Sequence, residues 1–129
     1  ISPNTRGIVI LLGANDMLRG ISPQITKNNL KKMIDICFEK KIPVMLVGQT
    51  APNNFGLEYK NQFDKIFKDL KNEYEILLYP SFFQVLLQNN DLTSLNKYLL
   101  DDRIHPNSEG IKKIVNDFKE VFFKFLKKL

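Results

Sequence analysis

The chain holds one histidine and one cysteine in 129 residues, and these two scarcities close off whole classes of function. A lone cysteine, Cys37, excludes an internal disulfide. One histidine, one cysteine and no carboxylates at ligand spacing do not make a closed metal site, so neither metal nor cofactor is expected. Glycine is sparse, six in all, and never gathers into a phosphate-cradling loop. No apolar stretch approaches the length of a membrane span, and no leader pattern opens the chain. Because the first residue is Ile1 and not methionine, the second of these absences leaves the compartment open. Aromatic and basic residues do not interleave as they do on single-strand-binding surfaces, so no nucleic-acid partner is expected despite a formal charge of +5. No serine lies in a strand-to-helix turn beside glycine, where an activated nucleophile would sit.

What is present is an ordinary globular composition, 43% hydrophobic and 26% charged, sufficient for the buried core of one domain spanning residues 1–129. Ile8-Val9-Ile10-Leu11-Leu12 is a continuous apolar run ending at Gly13, which predicts a central parallel strand covered on both faces. Ser22-Pro23 supplies an N-cap and a first-turn proline. Leu30, Met33, Ile34, Cys37 and Phe38 then recur at helical spacing up to Lys41, with Cys37 as a small buried hydrophobe. A second buried strand from Pro43 to Gly48 leads into an irregular loop from Gln49 to Gly56. Tyr59, Phe63, Ile66, Phe67, Leu70 and Tyr74 stripe another helix, and Ile76 to Tyr79 form a third strand. Phe82 to Leu100 holds one or two short helices.

The longest stripe comes last: Ile111, Ile114, Val115, Phe118, Phe122, Phe125, Leu126 and Leu129, with lysines opposite. Such a helix packs on a sheet or lies on a membrane surface; the first is expected. Strands alternating with helices imply right-handed crossovers and a parallel sheet with helices on both faces, an α/β fold. Three strands are few for such a sheet, and the polar residues before Ile8 read as an entry in mid-fold, with the first strands lacking. That predicts an unpaired edge beside Ile8 to Leu12 and a marginally soluble isolated chain. Oligomeric state is not legible.

In open parallel sheets, sites collect at the carboxyl ends of the strands. Gly13-Ala14-Asn15-Asp16 lies there; Asn15 could aim its amide at a developing oxyanion, or Asn15 and Asp16 could merely form a turn and cap the next segment. The second feature is Asp102-Arg103-Ile104-His105-Pro106. Asp102 suits the Nδ1 proton of His105, leaving Nε2 to take a proton from a hydroxyl; the plain alternative is a surface loop with an incidental histidine. Pro106 biases His105 toward extended backbone, Asn107 or Ser108 can cap the next helix, and Asp101 reads as solvated.

Gly13-Ala14-Asn15-Asp16 after a buried strand resembles the third sequence block of the SGNH (GDSL-type) hydrolases, and Asp102 to Asn107 resembles their fifth. Leu12 to Gly20, Pro52-Asn53-Asn54-Phe55-Gly56 and Asp101 to Asn107 are similar, in the same order, to stretches of the bacterial branch of acyl-CoA thioesterases, lysophospholipases and arylesterases. The resemblance implies a three-layer α/β/α, flavodoxin-like sandwich that hydrolyses small-molecule acyl esters or thioesters through an acyl-enzyme. His105 would be the general base, Asp102 its orienting acid and Asn15 the side-chain oxyanion donor, with Pro52 and Phe55 bordering an acyl-chain groove. No cofactor or metal is implied. The chain would be the C-terminal part of such a domain and inactive alone, because the family's nucleophilic serine and its backbone glycine donor belong to blocks not seen here. Arg103 stands where the fifth block would have glycine. The alternative from another class is a non-catalytic flavodoxin-like binding module.

Overall fold

Three short parallel strands, β1 (Ile8–Ile10), β2 (Val44–Val47) and β3 (Leu77–Tyr79), pair in the order β1-β2-β3 in a computed structural model that describes residues 1–87 and 92–129. Ile8 lies opposite Val44, and Met45 opposite Leu77. The connections carry the helices: α1 (Ala14–Leu18) and α2 (Pro23–Glu39) between β1 and β2, and α3 (Gly56–Tyr74) between β2 and β3. After β3 come 3₁₀ turns at Gln84–Leu86 and Leu92–Tyr98, then α4 (Ser108–Leu126). Residues 88–91, inside the stretch expected to hold one or two short helices, lie outside the described residues.

Side chains alternate across a strand with period two, and β2 shows the consequence. Val44 and Leu46 face a core of Leu30, Ile34, Phe63, Phe67 and Leu70 from α2 and α3, while Met45 and Val47 face Tyr79 and Phe125 on the α4 side. All four β2 residues are buried, and each such aliphatic side chain stabilises the fold by about 1.5–3 kcal/mol. The result is the expected α/β/α sandwich. Cys37 is buried in the first core, and burial pushes its thiol pKa up.

The opening strand departs from expectation. It is three residues long, not five, and it lies at the edge of the described sheet, pairing only with β2. Leu11 and Leu12 run on beyond it with 41% and 50% of their surface exposed. A continuous apolar run signals two-sided burial only where both flanks are covered. Here Val9, Leu11 and Leu12 instead line an open groove of about 660 Å³ with Met33 and Ile36 of α2. The unpaired edge is therefore present. Gly13, at φ +107°, then turns the chain into α1, a five-residue helix that the sequence pattern does not signal.

The orientation of α4 fixes the position of everything before it. Phe118 packs edge-on against Tyr79, and Asp117 accepts the Tyr79 hydroxyl proton at 2.7 Å. At the other end, Phe125 and Leu129 close over Gly7, just before β1, and Arg6 donates to the Leu129 carbonyl. The C-terminus of α4 thus sits at the amino ends of the strands. A 19-residue helix spans about 28 Å, so its N-terminus, and the loop leading into it, lies toward the carboxyl ends.

Candidate active site at the carboxyl edge

Parallel strands deliver their exits to one edge of the sheet. The exit of β1 carries Asn15, that of β2 the loop with Pro52 and Phe55, and that of β3 Pro80 and Ser81. The loop before α4 brings Asp102 and His105 toward the same edge.

That last loop is built to hold an imidazole. The Leu100 N–H donates to the His105 carbonyl at 2.8 Å, and the Asn107 N–H donates to the Tyr98 carbonyl at 2.8 Å. Asn107 then caps α4: its Oδ1 accepts from the N–H groups of Glu109 and Gly110, while its Nδ2 donates to the carbonyls of Lys97 and Leu99. Of the two candidate caps, Asn107 and Ser108, the first is the cap.

Asp102 makes three hydrogen bonds within this frame. Oδ1 accepts from the backbone N–H groups of Ile104 (2.8 Å) and His105 (2.9 Å), and Oδ2 faces His105 Nδ1 at 2.7 Å. The N–H of His105, its ring and the N–H of Ile104 together hold the carboxyl pKa down at about 2. An ionised carboxylate only accepts, so Nδ1 carries the proton and Nε2 of the neutral ring is left with its lone pair. With 71% of the His105 side chain exposed, that lone pair is open to an incoming proton donor.

The depressed pKa sets a direction for acid. The unfolded carboxyl titrates near 3.9; because the folded value lies below it, the stabilisation is complete above about pH 4 and is lost as pH falls through about 2. The amide proton shifts of Ile104 and His105 are therefore expected to move together with a midpoint near 2. A common midpoint near 4, the ordinary range, would show that the carboxylate is not held in this way.

Arg103 occupies a left-handed backbone position, φ +56°, which a glycine adopts at least cost. The turn geometry thus gives a reason for glycine at the position where this chain has arginine. The Arg103 N–H donates to the Leu100 carbonyl and closes the turn.

Asn15 stands exposed in the first turn of α1. Its neighbour Asp16 accepts the Thr26 hydroxyl proton at 3.0 Å and ties α1 to α2, and neither side chain caps the short helix. Phe55 lays its ring on Gly20, so tightly that a Cβ there would lie 2.8 Å away, and it lies at a tilt against Tyr59, whose hydroxyl donates to the Ile21 carbonyl. The structure therefore joins the Phe55 loop to the segment that carries Asn15. Among the described residues, no hydrogen bond or ion pair links His105 or Asp102 to Asn15, Pro52 or Phe55.

Two groups at this edge carry no sequence signal. Ser81 is 8% exposed at the exit of β3, and its hydroxyl accepts from Thr50 Oγ1 at 2.9 Å, linking the exits of β2 and β3. Neither residue lies in a recognisable motif; only the parallel pairing of β2 with β3 reveals them.

The parallel three-layer α/β/α sandwich, with a carboxylate-held imidazole before its last helix, agrees with the fold that the resemblance to SGNH hydrolases implies. The chain belongs to the GDSL-like lipase/acylhydrolase family, whose model matches residues 2–113. It is 30% identical over 103 residues to an arylesterase of Vibrio mimicus, covering 80% of this chain and 48% of that one. It is 29% identical over 105 residues to the thioesterase 1/protease 1/lysophospholipase L1 of Escherichia coli (strain K12), covering 81% and 48%. Among solved structures, AlinE4, an SGNH-hydrolase family esterase, superposes with a TM-score of 0.68 at 31% identity, over 95% of this chain and 62% of that one. The fold alone is matched by the psychrotrophic esterase EstA from Pseudoalteromonas sp., with a TM-score of 0.82 at 22% identity over 95% and 63%. The chain spans about half the length of the curated relatives it matches.

Proposed function

We propose that this chain supplies the acid–base half of an ester- or thioester-hydrolysing site whose nucleophile is a serine outside residues 1–129. The observation that carries this reading is the Asp102–His105 pair: an ionised carboxylate 2.7 Å from Nδ1 that also accepts from the backbone N–H groups of Ile104 and His105. His105 Nε2 takes the serine proton as the hydroxyl attacks the acyl carbon and returns it to the leaving alcohol or thiol. The same nitrogen then activates water to release the acid. Asp102 stays ionised and stabilises the imidazolium formed between these steps.

Asn15 is the side-chain donor to the oxyanion. It sits at the carboxyl end of β1, exposed, with no hydrogen bond made by its side chain among the described residues, so its amide is free to turn to a substrate. Pro52 and Phe55 border the acyl chain with apolar surface, and the substrate is a small-molecule carboxylic ester or acyl thioester. In the protein that contains the nucleophile, Asn15→Ala is expected to lower kcat for a p-nitrophenyl ester by about 10²–10³-fold with little change in KM. A variant turning over within threefold of the parent would remove Asn15 from the oxyanion site.

A further inference from the structure

We infer that Lys60 and Asp64 are positioning residues that hold the loop from Thr50 to Gly56 and so set the acyl-chain preference of the site. This deepens the hydrolase reading and rests on it. Spaced four apart on α3, the two side chains share one face of the helix and form an ion pair at 2.6 Å. Both side chains are partly buried, 25% and 31% exposed; a fully solvated pair at this spacing usually does little. This one differs in what else it holds.

Asp64 Oδ1 accepts from the Ala51 N–H at 2.7 Å, and Lys60 Nζ donates to the Ala51 carbonyl at 2.7 Å. Ala51 is 2% exposed, so both of its main-chain polar groups are buried, and among the described residues these two side chains are their hydrogen-bond partners. Charge-assisted bonds this short fix geometry as well as adding attraction. Two such bonds meet at Ala51, and the Lys60–Asp64 pair joins their far ends.

Ala51 lies in the loop after β2, just before the residues of the proposed groove. The second anchor is Phe55, seated on Gly20 and against Tyr59. Only Pro52, Asn53 and Asn54 lie between the anchors, and Pro52 is itself fixed near φ −71°. The loop is a short strap tied at both ends, and the Lys60–Asp64 end places Pro52. Apolar surface here meets the distal part of an acyl chain, so a loosened strap weakens long-chain binding and leaves the reacting ester group untouched.

The test compares acetyl and decanoyl p-nitrophenyl esters in the protein that carries the nucleophile, with Asp64→Ala and Lys60→Met as separate variants and Lys60→Arg as the conservative control. Loss of a charge-assisted bond to buried backbone predicts a KM for the decanoyl ester raised by about 10-fold, with kcat within about twofold and the acetyl ester unaffected. Exchange of the Ala51 amide proton, followed in the same variants, rises by about 10-fold or more. Lys60→Arg keeps the parent profile. An unchanged chain-length profile, or an equal loss on both esters, overturns the assignment. If the unsubstituted protein hydrolyses neither ester, the hydrolase reading itself has failed, and Ala51 exchange still reports whether the clamp exists.

Discussion

Substituting His105 with alanine in the nucleophile-bearing protein is expected to lower kcat for ester hydrolysis by about 10⁴–10⁶-fold while KM changes little. The imidazole is exposed and joined to the fold through Asp102, so its removal costs the proton acceptor and little packing. Asp102→Asn gives a sharper test of the orienting role. An asparagine keeps an oxygen for the N–H groups of Ile104 and His105, so the loop holds its shape. Its NH₂ then faces Nδ1, which selects the tautomer with the proton on Nε2, and kcat is expected to fall by about 10⁴-fold. Steady-state kinetics check both, with a thermal melt showing that each variant is folded. Asp102→Asn within tenfold of the parent would mean that the carboxylate has no part in turnover.

The second large effect is structural. Gly48 directly follows β2, against the backbone of Tyr79 and Pro80 at the end of β3. Its N–H donates to the Tyr79 carbonyl at 2.8 Å, and its carbonyl accepts from the Phe82 N–H at 3.0 Å. A Cβ at this position would lie 2.0 Å from the Pro80 carbonyl oxygen. The obstacle is backbone, held in place by those same two hydrogen bonds, so no side-chain rotation relieves it. Gly48→Ala must part the two strands at their carboxyl ends, and a cost of about 3 kcal/mol or more is expected. A denaturant titration monitored by circular dichroism measures it. A loss under about 1 kcal/mol, the range of a tolerated core substitution, would show that the strands are not so closely joined.

The residues most legible in the sequence are those whose signal is periodic or local. The stripe from Tyr59 to Tyr74 forms α3, the stripe from Ile111 to Leu126 lies within α4, and Asp102 and His105, close together in one loop, are hydrogen-bonded as their chemistry suggests. Gly48 reads as a strand end, but its need for glycine comes from Pro80, far along the chain, which no local pattern shows. Lys60 and Asp64 look like any solvated charges on a helix; their engagement with Ala51 exists only after the loop doubles back on α3. The edge position of β1 is hidden because an apolar run reports hydrophobicity and not which flank is covered. Asn15 remains a residue whose place is known and whose proposed partner is substrate, so neither spacing nor packing marks its role.

The proposed hydrolysis requires that His105 activate a serine outside residues 1–129. Labelling with a fluorophosphonate, followed by peptide mapping, tests this directly. A single adduct is predicted on a serine outside residues 1–129, greatly slowed in His105→Ala and absent from residues 1–129 alone. An adduct on Ser2, Ser22, Ser81, Ser94 or Ser108, or a labelling rate indifferent to His105, would contradict it.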